Sequence, residues 1–583
     1  MIKLPKDPNQ LPGTSGLDKT PDNREFDICI IGSGAGAGPV IFELSKAGYK
    51  VVVLEKGPWL KTKDFDKDEI VATRRSVYTP NLKDEPQVIE SQDDSGEWVG
   101  RSTFSTGNDF WNGNMIGGSS NLMSGYFHRM KPNDFKLLSV YGEIEGANVV
   151  DWPINYEEME PYFTKVETVV GISGRVVQHS TLEPRSVNDF PYPPLAENIV
   201  SKWIDAAGDS LGYKMVPVPR AILSRPADNR NSCYYSNFCG SYGCASNAKS
   251  SSRVALINKA LETDNCTILA NSKVYYLETD NQQKVVRAWY YDINGERQFV
   301  EAGIFVVAAQ AVETSRLLLM SKNPDFPNGL ANNSGQVGKN FIFSGGGTGS
   351  GQFFLDDLSK KVADQLMAPG VFVNRAIQHW YEIDDPGFGG KAKGGTVDFL
   401  FEHANAIGRS IRRKWDSEGS LRYGSALKKD LKNYFTKQRK LKFEVFVDWS
   451  PNDNCFVSLD DKVKDKWGDP VAKIRIGYNE HDLKVGRYLA EKAERVMEQM
   501  GAKNVSSGIS GLPPPNLQAG GCRFGNNPET SVLDKNCKAH EVKNLYVTDG
   551  SFMPTGGSVT YTWTIYANAF RVAEKIKKHA ERL

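Results

Sequence analysis

Apolar residues recur along this chain with periods that change from segment to segment, and the changes divide it into elements. Residues 26–31 (FDICII) form an almost unbroken apolar run, the pattern of a strand buried on both faces. From 39 to 46 the apolar positions fall at helical spacing, and 50–54 (KVVVL) returns to a buried strand. Segments 155–170, 195–211, 252–262, 311–321, 480–500 and 562–577 also carry the helical period. Strands are predicted at 266–270, 273–278 and 285–291, the last turning through Asn294-Gly295 to pair with 298–301, and again at 304–308 and 544–548.

The pattern weakens in two places. Residues 61–112 are polar and aromatic with little periodicity, a long excursion that ends in Gly117, Gly118, Ser119 and Ser120. Such small residues let backbone approach a flat ring, although a plain surface turn has the same composition. Residues 351–448 gain aromatic and basic side chains while strands become hard to delimit, and KKDLKNYFTKQRK (428–440) has the composition of a solvated helix or lid. That region is expected to be a separate unit covering a substrate.

The first strand runs into a glycine cluster whose spacing carries chemistry. Gly32 permits a tight turn, Gly34 lets backbone approach a pyrophosphate, and Ala35, Gly36 and Ala37 keep the following helix close to the strand. That helix presents unpaired N–H groups and a partial positive charge to the phosphates. The second strand ends in Glu55, 21 residues beyond Gly34 and followed by Lys56, where a carboxylate can accept both hydroxyls of an adenosine ribose. A 2′-phosphate would be repelled there, so FAD or NAD is expected rather than NADP.

Composition narrows the partners. Lys plus Arg number 71 against 70 Asp plus Glu, a net charge of +1 that makes no electrostatic case for nucleic acid or an anionic membrane. No apolar run is long enough to span a bilayer, and the first residues lack a signal-peptide core, so the expected location is the cytoplasm, or export as the passenger of a signal-bearing partner subunit. With 583 residues the chain exceeds one core, and two interleaved domains are expected. The order of elements predicts an arm at 1–24, a nucleotide-binding domain from 25–135, 225–345 and 515–583, and a substrate domain from 136–224 and 346–514.

Four blocks together resemble the glucose-methanol-choline family of flavin oxidoreductases. They are GGSSNLMSGYFHRMKPNDF, with Arg129 and Phe135 in the family's places, AAQAVETSRLLLMSK, GCRFGNNPETSVLD, and NLYVTDGSFMPTGGSVTYTWTIYANAFRVAEKI. Sugar and polyol dehydrogenases, including glucoside 3-dehydrogenases, look nearest, through GQVGKNF and a cysteine cluster. The resemblance implies an α/β fold, a discontinuous Rossmann-like FAD-binding domain with an antiparallel-sheet α+β substrate domain. It implies FAD on Gly32, Gly34, Ala35, Gly36, Ala37, Glu55 and Lys56, with Val274 near the adenine. Gly117, Gly118, Ser119, Asn121 and Leu122 would lie beside the isoalloxazine, and Asp549 and Gly550 near the ribityl chain and pyrophosphate. Leu122 stands where some relatives carry a flavin-linking His, so no covalent link is expected. The implied reaction oxidises the CH–OH group of a sugar, glycoside or polyol, with electrons passing to an external acceptor or small partner subunit.

The sequence departs from the family at its catalytic pair. The usual His, three residues before Gly520, is Leu517, and the usual Asn is Thr560. Gln518 and Thr560 can hydrogen-bond a substrate or the flavin but are poor proton acceptors. A base from the cap region, His403 or His379, a substrate that loses its proton easily, or a non-redox lyase-type role that keeps FAD structurally would each account for the departure. The cysteine cluster, Cys233, Cys239 and Cys244, fits no zinc spacing well. Its thiolates are expected either to ligate an iron–sulfur cluster, as in some relatives, or to remain reduced and metal-free.

Overall fold

The computed structural model describes residues 26–69, 81–368, 370, 373–416, 418–514 and 516–582. The arm expected at 1–24 lies outside them.

Five strands form a parallel sheet in the spatial order Cys266–Leu269, Val51–Leu54, Phe26–Ile31, Arg297–Val307, Leu545–Val547. In chain order this is 3-2-1-4-5, so the direction of winding reverses between the first strand and Arg297–Val307. Ligands of doubly wound sheets bind at that reversal, outside the carboxyl ends of the strands. Ile28, Ile30, Val51, Val53, Ile304 and Val306 are fully buried, and the helices Gly38–Lys46 and Thr562–Ala580 share their core.

The two segments 298–301 and 304–308, expected as separate strands, are one strand of 11 residues. Its first half pairs antiparallel with Val285–Tyr291 beyond the Asn294-Gly295 turn, and its second half lies parallel to Phe26–Ile31. Two partners with different burial demands gave the one strand two patterns. The segment expected to be helical at 252–262 opens with a wide π turn, Arg253–Ile257, before Asn258–Leu261, and the helix Tyr156–Val166 closes with another, Glu167–Gly171.

A second sheet of six antiparallel strands runs Lys503–Ile509, Ser344–Phe354, Gln438–Asp448, Thr396–Phe401, Val373–Ile377, Met215–Pro217. Helix Glu480–Gln499 packs on one face, joining Val485, Leu489 and Val496 to Val397, Phe399, Phe443 and Val445 in a core. Because side chains alternate across a sheet, Asp398, Glu444, Phe446 and Asp448 point to the other face, toward the nucleotide-binding sheet. The lid-like segment 428–440 is split: Gly424–Thr436 is a largely exposed helix and Gln438 already begins a strand of this sheet. A small sheet joins Val88–Gln92 and Trp98–Ser102 to Phe456–Lys464 and Pro470–Arg475.

Candidate active site

Gly32 follows the first strand at φ +95°, and a Cβ there would stand 2.3 Å from the Ala308 carbonyl oxygen. At Gly36 a Cβ would meet the Thr548 carbonyl and the Asp549 Cα at 2.6 Å, so this glycine, with Ala37 buried behind it, lets the loop close on the fifth strand. Gly34 is the opposite case: nothing lies within 4 Å of its Cβ position, because that side opens into a cavity. The cavity of about 320 Å³ starts at this loop and extends past Gly118 and Ser119 to Leu517, Gln518 and Thr560.

Glu55 lies on the cavity wall where the second strand ends. Its Oε2 accepts from the Ser33 hydroxyl at 2.6 Å and its Oε1 from the Gly57 amide at 2.9 Å. Burial raises its pKa, opposed by those hydrogen bonds and the neighbouring Lys56. The Ser33 hydroxyl also accepts from the Gly117 amide at 2.9 Å, tying the two glycine loops together. Burial works against the Lys56 ammonium, but Glu85, 2.9 Å away, and Glu313 more than offset it and hold the pKa above the usual lysine range. Beyond them Ser272, Lys273, Val274 and Tyr275 line the end where an adenine would sit.

At the other end the carboxylate of Asp549 is occupied by the protein itself. It accepts from the Gln310 amide at 3.0 Å, the Thr314 hydroxyl, and the Ser551 amide and hydroxyl at 2.9 and 2.5 Å. Asp549 and Gly550 line the cavity, and the carboxylate fixes the turn through which the backbone faces it. Gln310 donates from Nε2 to Gln518 Oε1 at 2.6 Å, which holds that amide at the wall. Leu517 adopts φ +60°, a left-handed conformation unusual for a branched side chain. The Thr560 hydroxyl donates to the Tyr126 carbonyl at 3.1 Å, so toward the cavity it can only accept.

Several expected residues stand behind the wall rather than on it. Gly117 backs the loop through its bond to Ser33. Asn121 turns inward, its Nδ2 donating to the carbonyls of Ile116 and Gly118 at 2.9 and 3.1 Å. Leu122 is buried among Leu60, Phe65 and Met115. Ala37 caps the helix inside the core. His403 does not line the cavity but neighbours Ser124, which does: a Cβ on Gly240 would stand 2.3 Å from its Cε1 and 2.6 Å from Ser124 Oγ. His379 packs against Tyr213 and Trp380, which border the second core, and burial lowers its pKa. Neither histidine is part of the cavity lining.

The three cysteines all border one small apolar cluster, Leu195, Ile222 and Ala248. Among the described residues no three His, Cys, Asp or Glu side chains come together as metal ligands, so the iron–sulfur alternative finds no support there. Two of the thiols meet neighbouring loop groups: Cys233 accepts from the Tyr235 amide at 3.3 Å, and Cys244 lies 3.4 Å from Ser246 Oγ. Lys249, buried beneath them, donates to the carbonyls of Asn121, Cys239 and Tyr242 at 3.2, 2.8 and 2.8 Å.

The sequence missed Ser33, though it sits inside the glycine motif, because a hydroxyl there has no reason to be singled out until Gly117 folds back on it. It also missed Tyr126, which lines the cavity, and the acids Asp398 and Glu444 behind it. Their one signal was a carboxylate within an apolar strand, in TVDFLF and KFEVFVD.

The fold and site define a dinucleotide-dependent oxidoreductase with its cofactor trough at the reversal of a doubly wound sheet. Two GMC oxidoreductase models match, over residues 100–343 and 451–569. The chain is 31% identical to 2-methyl-1,2-propanediol dehydrogenase of Mycolicibacterium austroafricanum over 97% of its length and 96% of that protein's. It is 25% identical to the fructose dehydrogenase large subunit of Gluconobacter japonicus, over 94% of this chain and 97% of that one. Among solved structures, pyridoxine 4-oxidase from Mesorbium loti superposes with a TM-score of 0.60 at 17% identity, covering 95% of this chain and 100% of that one. The chain belongs to the GMC oxidoreductase family and is an FAD-dependent oxidoreductase acting on CH–OH donors.

Proposed function

We propose that the protein is a dehydrogenase that oxidises a secondary or primary CH–OH group of a sugar, glycoside or polyol and passes the electrons to an external acceptor. The observation that carries this reading is the lining of the cavity beyond the cofactor loops. Ser119, Ser124, Tyr126, Asn516, Gln518 and Thr560 supply hydroxyl and amide groups there, which match a ligand with several hydroxyls better than an apolar one. The residues that would hold FAD fit it: the side of Gly34 is open for a pyrophosphate, and Glu55, although it already accepts two bonds, has lone pairs left for ribose hydroxyls. When bound, the flavin supplies the hydride acceptor. The chain's own part is to orient the alcohol through Gln518 and Thr560 and to remove its proton. The substrate domain divided between 136–224 and 346–514 would close over that alcohol, and the cytoplasm is the proposed location.

A second reading, FAD kept structurally in a lyase-type or catalytically degenerate protein, is favoured by one observation, Leu517 and Thr560 at the usual His and Asn positions. Anaerobic addition of polyols, sugars and glycosides to the holoprotein separates the two. The dehydrogenase reading expects at least one donor to bleach the oxidised flavin band; no bleaching by any donor would leave the second reading in its place.

A further inference from the structure

Tyr126 and His128 lie two residues apart in the extended stretch after the glycine loop, so both side chains leave the same side while Phe127 enters the core against Trp563 and Tyr566. The Tyr126 hydroxyl donates to Glu444 Oε2 at 2.5 Å, and its ring meets Phe446 edge-on at 5.9 Å. His128 Nε2 stands 2.9 and 3.2 Å from the two oxygens of Asp398. Asp398 and Glu444 are direct cross-strand partners in the six-stranded sheet. Two carboxylates opposite one another repel, and here Asp398 is fully buried and Glu444 partly buried behind Tyr126, which lines the cavity. Titratable groups arranged to perturb one another beside a cleft are candidates for a functional site.

We propose that Tyr126 and Glu444 form the acid–base centre that this chain uses in place of the absent histidine, with Tyr126 meeting the substrate hydroxyl and Glu444 accepting the proton. The proposal rests on the CH–OH dehydrogenase reading above. As the substrate O–H bond breaks, its proton passes to Tyr126 Oη while the tyrosine's own proton passes to the Glu444 carboxylate. The same carbon loses hydride, with its electron pair, to the bound flavin, and the C=O bond forms. One alcohol thus gives one carbonyl, one protonated Glu444 and one two-electron-reduced cofactor.

The charged and titratable groups around the pair come from four segments. Lys442 lies on the strand of Glu444, Asp398 on the neighbouring strand, and His128 and Arg220 beside Tyr126; on the far side, Glu444 faces Thr348, which is uncharged. Burial raises the pKa of Glu444; Lys442 and the Tyr126 hydrogen bond oppose that and Asp398 adds to it. Burial, then Glu444 and Asp398, hold Tyr126 well above the usual tyrosine range, so it keeps its proton and releases one only as it receives another.

Glu444→Gln keeps an acceptor for Tyr126 and removes the base. The rate of flavin reduction by a donor should fall about 10²–10⁴-fold at little change in KM, and the acid limb of its pH profile should disappear. Tyr126→Phe should lose a similar factor. A readout that needs no flavin is the unfolding temperature of the apoprotein against pH. Because the folded state raises the pKa of Glu444, the folded state binds the proton more tightly, and stability declines as pH rises from the unfolded pKa through the folded one. Glu444→Gln should flatten that decline and leave the apoprotein at least as stable at neutral pH. Flavin reduction within about threefold of the parent with the acid limb intact, or a pH–stability curve unchanged by Glu444→Gln, would overturn the proposal while leaving the dehydrogenase reading in place. If no donor reduces the parent protein, both fall together.

Discussion

Glu55 shows how much one side chain does in this site. Its carboxylate holds Ser33, and through Ser33 the Gly117 loop, while facing the cavity where ribose hydroxyls would reach it. Glu55→Arg removes two charge-assisted acceptors, each worth about 1.5–3 kcal/mol, and should weaken FAD binding by roughly two orders of magnitude or more. Flavin content of the purified variant checks this, and a variant that stays fully loaded would mean the adenosine is held elsewhere. Leu517 and Thr560 carry the opposite lesson. Their identities announced that the family's base is missing, but Leu517 at φ +60° and Thr560 committed to the Tyr126 carbonyl are facts of folding. If Tyr126 and Glu444 already remove the proton, installing Leu517→His with Thr560→Asn should raise flavin reduction by less than about tenfold or lower it, set against the larger factor a needed base would return. Stopped-flow reduction of parent and variant decides between these.

Among the elements, those that obey one period in one environment were legible: the strand Phe26–Ile31, the helix Glu480–Gln499 and the helix Thr562–Ala580 all stand within a few residues of their sequence-based limits. The strands of the six-stranded sheet were not, and Ser344–Phe354 (SGGGTGSGQFF) shows why. Glycine stands where an apolar residue would have marked the period, because the partner strand fills the space: a Cβ on Gly349 would lie 2.0 Å from the ring of Phe443, its cross-strand partner. An aromatic ring laid over a strand glycine is a packing solution that sequence periodicity cannot register. Gly349→Val should therefore destabilise the protein by about 1–3 kcal/mol through overpacking, read as a lower denaturant midpoint. An unchanged midpoint would mean that the Phe443 ring has other room. The iron–sulfur alternative finds no support at the same scale: among the described residues no three candidate ligands come together, and Lys249 beneath the loop bonds the carbonyls of Cys239 and Tyr242.

At the scale of the whole molecule, the strand order 3-2-1-4-5 puts the glycine loop at the reversal of winding, and the six-stranded sheet sets Glu444 behind Tyr126 and Asp398 behind His128. Asp448 accepts from the Gly556 and Gly557 amides at 3.1 and 2.7 Å, so the sheet also holds the loop that carries Thr560. The dinucleotide end could be read from 30 contiguous residues, 26–55. The other end joins Tyr126 to Glu444, 318 residues apart, and only the fold brings them within reach. The most direct test of the molecule as a CH–OH dehydrogenase is a single anaerobic turnover with a donor that bleaches the flavin, followed by mass analysis of the organic product. The expected result is one carbonyl product, two hydrogens lighter than the donor, for each flavin reduced; a donor converted while the flavin stays oxidised, or a reduced flavin with no carbonyl formed, would contradict it.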